Sequence, residues 1–263
     1  MNKGLAWGIG LVVGLPVVAV ATGAILVNTI DQQAMLNEMS GVVKEDLGRE
    51  LKFNGPVQLK WFPSIGVQLE QVSLSEYQSE QRFLNAEKVD VSLALMPLFS
   101  SNIVVDEVQA DGVSVRVVKN KEGKFNFDDL TGGAKDEQQS AVEEAPASGQ
   151  SLNFSVEAIS LSNLNLEFED QQQDLKASLE NFNFTSGRIE PDVPTTLSFS
   201  GRVKANKPSA DLQVTLNSGL QFGLGENLYA KLSDLSLGVV GGLETQKAVV
   251  SVTARQLDFN PTT

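Results

Sequence analysis

The sequence predicts a mainly β protein: an N-terminal transmembrane helix and a short amphipathic helix, then a curved, mostly antiparallel sheet forming an open apolar groove of the repeating β-groove type. Three observations carry that prediction. Residues Leu5 to Val27 hold no charge. From Leu51 onward apolar residues recur at a period of two, the spacing of strands with one apolar side. That alternation slips repeatedly in one way, apolar-x-x-apolar-x-apolar, which keeps the apolar side while bending the strand, as a β-bulge does.

Composition narrows the function classes. The chain's 263 residues suffice for one large β domain or two smaller ones. A net charge of −13 speaks against nucleic acid, and no polybasic run offers contact with anionic lipid. The absence of cysteine removes disulfides and thiol chemistry; the absence of histidine removes Ser-His-Asp catalysis and most zinc sites. Paired carboxylates remain, but Asp128 and Asp129 are adjacent and would point apart on a strand. With no glycine-rich phosphate loop opening a helix, the expectation is a protein that is not an enzyme and carries no cofactor or metal.

Taken in order, residues 1–4 read as a cytoplasmic N-terminus and 5–27 as a transmembrane anchor. Those 23 apolar positions reach about 34 Å as a helix, enough for a bilayer core of about 30 Å. Lys3 precedes the span and no Lys or Arg follows until Lys44, so the bulk of the chain is exported. The rival is a cleaved signal peptide, since Ala19-Val20-Ala21 fits a cleavage pattern. Residues 28–50 read as a juxtamembrane amphipathic helix capped by Asn28 or Thr29, with Met35, Leu36, Met39, Val42, Val43 and Leu47 on one face. It either packs on the end of the sheet or lies along the membrane surface.

Residues 51–130 form a first β domain. Its centre is Gly55 to Leu74, two β runs (Val57 to Trp61, Ile65 to Leu74) about a Pro63 corner, with the slip between Leu69 and Val72. Phe83 to Leu95 and Ile103 to Val118 continue the alternation, the latter through an Asp111-Gly112 turn. Phe125 and Phe127 share a face and read as the plug of a core rather than a cofactor contact. Residues 131–151, rich in Gly, Ser, Ala, Gln and Glu, read as an acidic flexible linker. A second β-repeat region spans 152–263, with strand runs Leu179 to Phe184, Thr196 to Ala205, Ala210 to Leu216, Leu220 to Leu224, Tyr229 to Val240 and Ala248 to Phe259. Val156 to Phe168 lines up with Val105 to Val117 at an offset of 51 residues. The strict slip occurs eight times, from Leu69, Ala86, Val105, Ala110, Leu161, Leu179, Leu232 and Ala254, where chance gives about three.

The anchor, the run Gly55-Pro-Val-Gln-Leu-Lys-Trp-Phe-Pro-Ser-Ile-Gly-Val-Gln-Leu, the strands from Ala86 and Val105, and the close Gly123-Lys-Phe-Asn-Phe-Asp-Asp-Leu together resemble the AsmA family. The match covers residues 5 to 130, the second half being similar more loosely. The resemblance implies a periplasm-facing protein of the Gram-negative inner membrane, tied to outer-membrane biogenesis, with a fold related to bridge-like lipid transfer proteins. Members are commonly longer, so a chain stopping at Asn260-Pro-Thr-Thr reads as a fragment or a short member.

Two functional expectations follow. The first is an apolar groove that binds or conducts phospholipid, because the sheet has too few helices to cover its apolar face. Its candidate residues are Ile65, Val67, Leu69, Val72, Leu74, Val89, Val91, Leu93, Val105, Val108, Val113, Val115, Ile159, Leu161, Leu164 and Leu166. The second is a non-catalytic periplasmic scaffold influencing outer-membrane protein assembly or targeting, with those faces closed as a dry core. The expected partners are membrane phospholipid, the inner membrane and other envelope proteins, and no nucleic acid.

Overall fold

A computed structural model describes residues 32–60, 64–94, 103–131, 154–224 and 228–260. The anchor segment, the Pro63 corner, Met96-Pro97 and nearly all of the acidic linker lie outside the described residues. Among the described residues there is one α-helix, α1 (Gln32–Leu47), and no helix long and apolar enough to cross a membrane.

Thirteen strands make one large curved sheet. The first half supplies β1 (Leu51–Phe53), β2 (Val57–Lys60), β3 (Ser64–Ser75), β4 (Arg82–Ala94), β5 (Ile103–Asp111) and β6 (Ser114–Lys119). The second supplies β7 (Phe154–Val156), β8 (Ile159–Asp170), β9 (Leu175–Ser186), β10 (Thr195–Asn206), β11 (Ser209–Gly223), β12 (Tyr229–Leu243) and β13 (Gln246–Phe259). The spatial order is β1-β3-β4-β5-β8-β9-β10-β11-β12-β13, with β2 on β3, β6 on β4 and β8, and β7 on β5. The runs Ala210 to Leu216 and Leu220 to Leu224 are one strand, β11.

The sheet is mixed rather than wholly antiparallel. Where the halves meet, β5 pairs β7 and β8 in parallel, and β6 pairs β8 in parallel. The register there is Val105↔Val156, Val108↔Ile159, Ala110↔Leu161 and Val117↔Phe168. Each pair is 51 residues apart, so the repeat seen in the sequence is the parallel register itself. Side chains bind across the same joint: Lys119 Nζ lies 3.0 Å from Asp170 Oδ2, and Ser162 Oγ donates to Asp111 Oδ1 at 2.6 Å.

The slips bend the strands in two ways. In β3 and β4 both partners slip together, Leu69↔Val89 and Val72↔Ala86, so the register continues through the bend. The same holds for Leu232↔Leu257 and Leu235↔Ala254 in β12 and β13. Between β8 and β9, β9 and β10, and β11 and β12 the register shifts, as one-sided bulges require. The third residue of five slips adopts left-handed backbone: Gln71, Gly112, Asn163, Asn181 and Asp234, with φ between 48° and 62°. Asparagine and aspartate tolerate this region better than other side chains. At Gly112 a Cβ would sit 2.5 Å from Glu87, which leaves room for glycine alone. Asparagines also supply what the bulges leave unpaired. Asn163 N–H donates to Asn183 Oδ1 (3.2 Å) and Asn181 N–H to Asn165 Oδ1 (3.0 Å).

Helix α1 ends at Gly48, whose φ of +63° and N–H bond to Lys44 O (3.1 Å) make a left-handed cap. Arg49 follows and is fully buried. Its Nε and Nη2 each lie 2.7 Å from an oxygen of Asp129, Nη1 donates to Ser75 O (2.8 Å), and Nη2 also reaches Asn126 O. The guanidinium sits 4.6 Å above the Phe83 ring. Asp128 and Asp129 lie in a short 3-10 helix (Asp128–Thr131), not a strand. Asp129 takes the arginine, while Asp128 Oδ2 accepts from Phe125 N–H at 2.9 Å. Phe125 and Phe127 stack 5.1 Å apart, and Phe127 and Leu130 pack on the cluster of Val43, Leu74 and Phe83.

Arg49→Ala leaves Asp129 and two carbonyls without their cation, so urea unfolding should show a loss of about 3–5 kcal/mol. A second outcome concerns acid. Hydrogen bonds from Ser162, then Asn163, hold the Asp111 carboxyl below its ordinary range against the opposing effect of burial. The unfolded chain therefore takes up this proton first, and the stabilisation, present above the ordinary carboxylate value, is lost as pH falls through the lowered one. Denaturation midpoints measured from pH 5 downward should fall less steeply in Ser162→Ala than in the wild type, an unchanged slope counting against this account.

Candidate functional site

Register places one apolar row straight across nine strands: Leu69, Val89, Ala110, Leu161, Phe184, Phe199, Leu216, Leu237 and Val252, each paired with the next. A second row runs Leu74, Leu84, Val115, Leu166, Leu179, Val203, Leu212, Gly241 and Ala248. The residues beside the first row form a third: Gln68, Asp90, Gln109, Ser160, Thr185, Ser198, Asn217, Ser236 and Thr253, every one polar. Successive residues of a strand point to opposite faces, so the sheet has one apolar and one polar side over its width.

Burial along the apolar side runs from closed to open. Over β1 to β4, α1 covers it: Leu36 packs with Leu69 and Val72, and Val43 with Leu74 and Phe83. Beside that, Ile189 from the β9–β10 connection packs on Val91, Leu93, Val105, Val108 and Val156, held by two backbone bonds to Val156. From β8 no helix among the described residues lies on the face, and most of its residues are half-buried. By β13 they stand open, Val250 at 49% and Phe259 at 55% exposure. Val240 and Val249, a register pair on the opposite side, are also exposed, one apolar pair among the polar residues of that face.

The sixteen sequence candidates all fall on the apolar side, but in two environments. Leu69, Val72, Leu74, Val91, Leu93, Val105, Val108 and Val113 are buried by the protein itself. Ile65, Val67, Val89, Val115, Ile159, Leu161, Leu164 and Leu166 are half-buried. Val42, assigned to the contact face of α1, is 51% exposed and turned from the sheet. The sequence reading left out the wall from β9 to β13: half-buried Phe182, Phe184, Phe199, Val214, Leu216 and Leu237, and exposed Val250 and Val252. Their strands carry the alternation, but their face follows only from register.

The polar side is laced by cross-strand ion pairs. Arg202 clasps Asp211 with Nε–Oδ1 at 2.5 Å and Nη2–Oδ2 at 2.6 Å, and Lys204 reaches Glu180 at 2.7 Å. These pairs hold the Asp211 and Glu180 carboxyls below their ordinary range. A hollow of about 700 Å³, lined mostly by residues of this side such as Thr185, Thr196, Ser198 and Asn217, opens beside β9 to β12. Among the described residues no group of three His, Cys, Asp or Glu is placed to hold a metal ion.

A family model described as the AsmA family matches residues 1–225. The chain belongs to the AsmA family. It is 24% identical over 203 residues to Protein AsmA of Escherichia coli strain K12, a match covering 77% of this chain and 31% of that protein. This AsmA-family chain thus spans about a third of the length of that relative. No solved structure matches it. The family assignment agrees with the residues that carried the resemblance, including Asn126 and Asp129 of the Gly123 close, whose role is to lock Arg49.

Aspartate substitutions should separate the closed from the open wall. Val91→Asp or Val105→Asp buries a charge in a dry cluster and should abolish cooperative unfolding or cost about 3 kcal/mol or more. Val250→Asp should change urea stability by about 0.5 kcal/mol or less, since half of that side chain already meets water.

Proposed function

We propose that this AsmA-family protein is held in the inner membrane by residues 5–27 and uses its apolar sheet face, in the periplasm, to bind or conduct phospholipid, supporting outer-membrane biogenesis and lipid homeostasis. The observation that carries the reading is the nine-strand apolar row, which no helix among the described residues covers from β8 onward, while its neighbouring row is polar throughout. An apolar surface of this extent is unfavourable in water and has to be occupied. Each row spans β8 to β13, six strands at about 4.8 Å spacing, so an acyl chain laid across them meets apolar side chains along its whole length. A chain of about 16 carbons gains roughly 13 kcal/mol gross when it leaves water, at about 0.8 kcal/mol per CH₂. The bilayer offers a similar gain, so such a face conducts lipid rather than trapping it. No chemistry is asked of the protein, which fits its lack of histidine and cysteine.

A second reading, a non-catalytic scaffold for envelope proteins, draws support from the sealed clusters at α1 and Ile189 and from the last hairpin, where Val240 and Val249 put an exposed apolar pair on the polar side. The two readings differ in what touches the middle of the wall. Benzoylphenylalanine at Phe182, Phe199 or Leu237 should photo-crosslink phospholipid in membranes of expressing cells. The same probe at Asn183, Ser198 or Ser236, on the polar side, should not. Crosslinks to protein at the first three positions, or equal labelling of both faces, would favour the scaffold.

A further inference from the structure

The closed quarter of the apolar face is closed by a thin device. Among the described side chains, helix α1 rests on β1, β3 and β4 through buried Leu36 and Val43, two turns apart, half-buried Leu47 beside Val43, and a hydrogen bond from Ser40 Oγ to Leu51 O at 2.9 Å. Its Val42 is exposed, Gly41 has no other atoms near it, and Glu38, Glu45 and Asp46 face water. The residues beneath continue the rows of the open wall without interruption: Leu69 opens the first row and Leu74 the second. Were α1 absent, the apolar rows would be uncovered on β1 to β4 as well as on β8 to β13, with the Ile189 contact between them. Immediately after the helix the chain turns at Gly48, where the left-handed φ of +63° and a Tyr77 ring 2.7 Å from a Cβ position admit only glycine. The next residue, Arg49, is locked from four directions by Asp129, Ser75, Asn126 and Phe83. The helix therefore joins a fixed anchor through one left-handed glycine, whose carbonyl accepts from Gln78 N–H at 2.9 Å.

We propose that α1 is an autoinhibitory plug, hinged at Gly48, that lifts from β1, β3 and β4 to open the membrane-proximal end of the apolar face to an acyl chain. This rests on the lipid-conducting reading. The helix follows the anchor segment in the chain, so the end it covers is the end next to the membrane from which lipid would enter. The acyl chain takes the places of Leu36 and Val43 on Leu69, Val72 and Leu74, one apolar contact replacing another, while the Arg49 lock keeps the strands in place.

The chain has no cysteine, which makes the test direct. Leu36→Cys with Val72→Cys, and separately Val43→Cys with Leu74→Cys, tie the helix to the sheet by a disulfide. The full chain is then assayed for transfer of NBD-labelled phosphatidylethanolamine between vesicles of palmitoyl-oleoyl-phosphatidylcholine. Locking removes the open population, so transfer by each oxidised pair should be about tenfold slower than by wild type and recover on reduction. Leu36→Ser with Val43→Ser, which loosens the helix and leaves the Arg49 lock, should transfer faster than wild type. Wild-type rates from both oxidised pairs, with transfer intact, overturn the plug and leave the groove standing. No transfer by the wild type itself overturns the groove, and the plug with it.

Discussion

A strand that bends without losing track of its faces is the constraint on which this protein depends. Side chains alternate at a period of two, so any irregularity in a strand threatens to send its apolar residues to the wrong side. Here each irregularity inserts one extra residue, so that two positions rather than one separate successive apolar residues, and the apolar residues return to the face they left. Left-handed backbone at Gln71, Gly112, Asn163, Asn181 and Asp234 makes the step, and asparagine side chains take up amide groups that the shifted registers leave without partners. The result is a wide curved sheet, apolar on one side, with ion pairs and hydroxyls on the other.

Such a sheet raises the question of what covers it, and the chain answers only at one end. The described helix and the Ile189 connection have enough apolar surface to close the region around β1 to β5. The buried Arg49 contributes little as an ion pair taken alone, since desolvation offsets most of the attraction. Its value lies in position: it joins the end of α1, the β3–β4 turn and the Gly123 close into one corner. Beyond β8 the described residues provide nothing comparable; the row stays half-buried through β12 and opens on β13.

Much of this was legible in the sequence. Five of the eight slips, at Leu69, Ala110, Leu161, Leu179 and Leu232, carry a left-handed residue at their third position, where Asn, Asp, Gln or Gly turns the chain; those at Ala86, Val105 and Ala254 bend without one. The 51-residue offset between Val105 and Val156 was visible as a pattern, but nothing local says that two similar segments lie side by side in parallel. The Arg49–Asp129 pair could not be read, since its partners are 80 residues apart and each looks like an ordinary surface charge. Periodicity likewise put Leu74 and Val250 on one face without distinguishing a residue under a helix from one left open. That difference is set by what packs above the sheet, and Ile189 gave no sign of reaching back to Val156.

The central claim is that the wall from β8 to β13 is a surface for acyl chains. Native mass spectrometry of the full chain, released from membranes in mild detergent, tests it most directly. Wild type should carry bound phospholipid, and a variant with Phe182, Phe199 and Leu237 changed to serine should lose it while remaining folded. A wild-type protein that emerges free of lipid, or a variant that retains its full complement, would contradict the account.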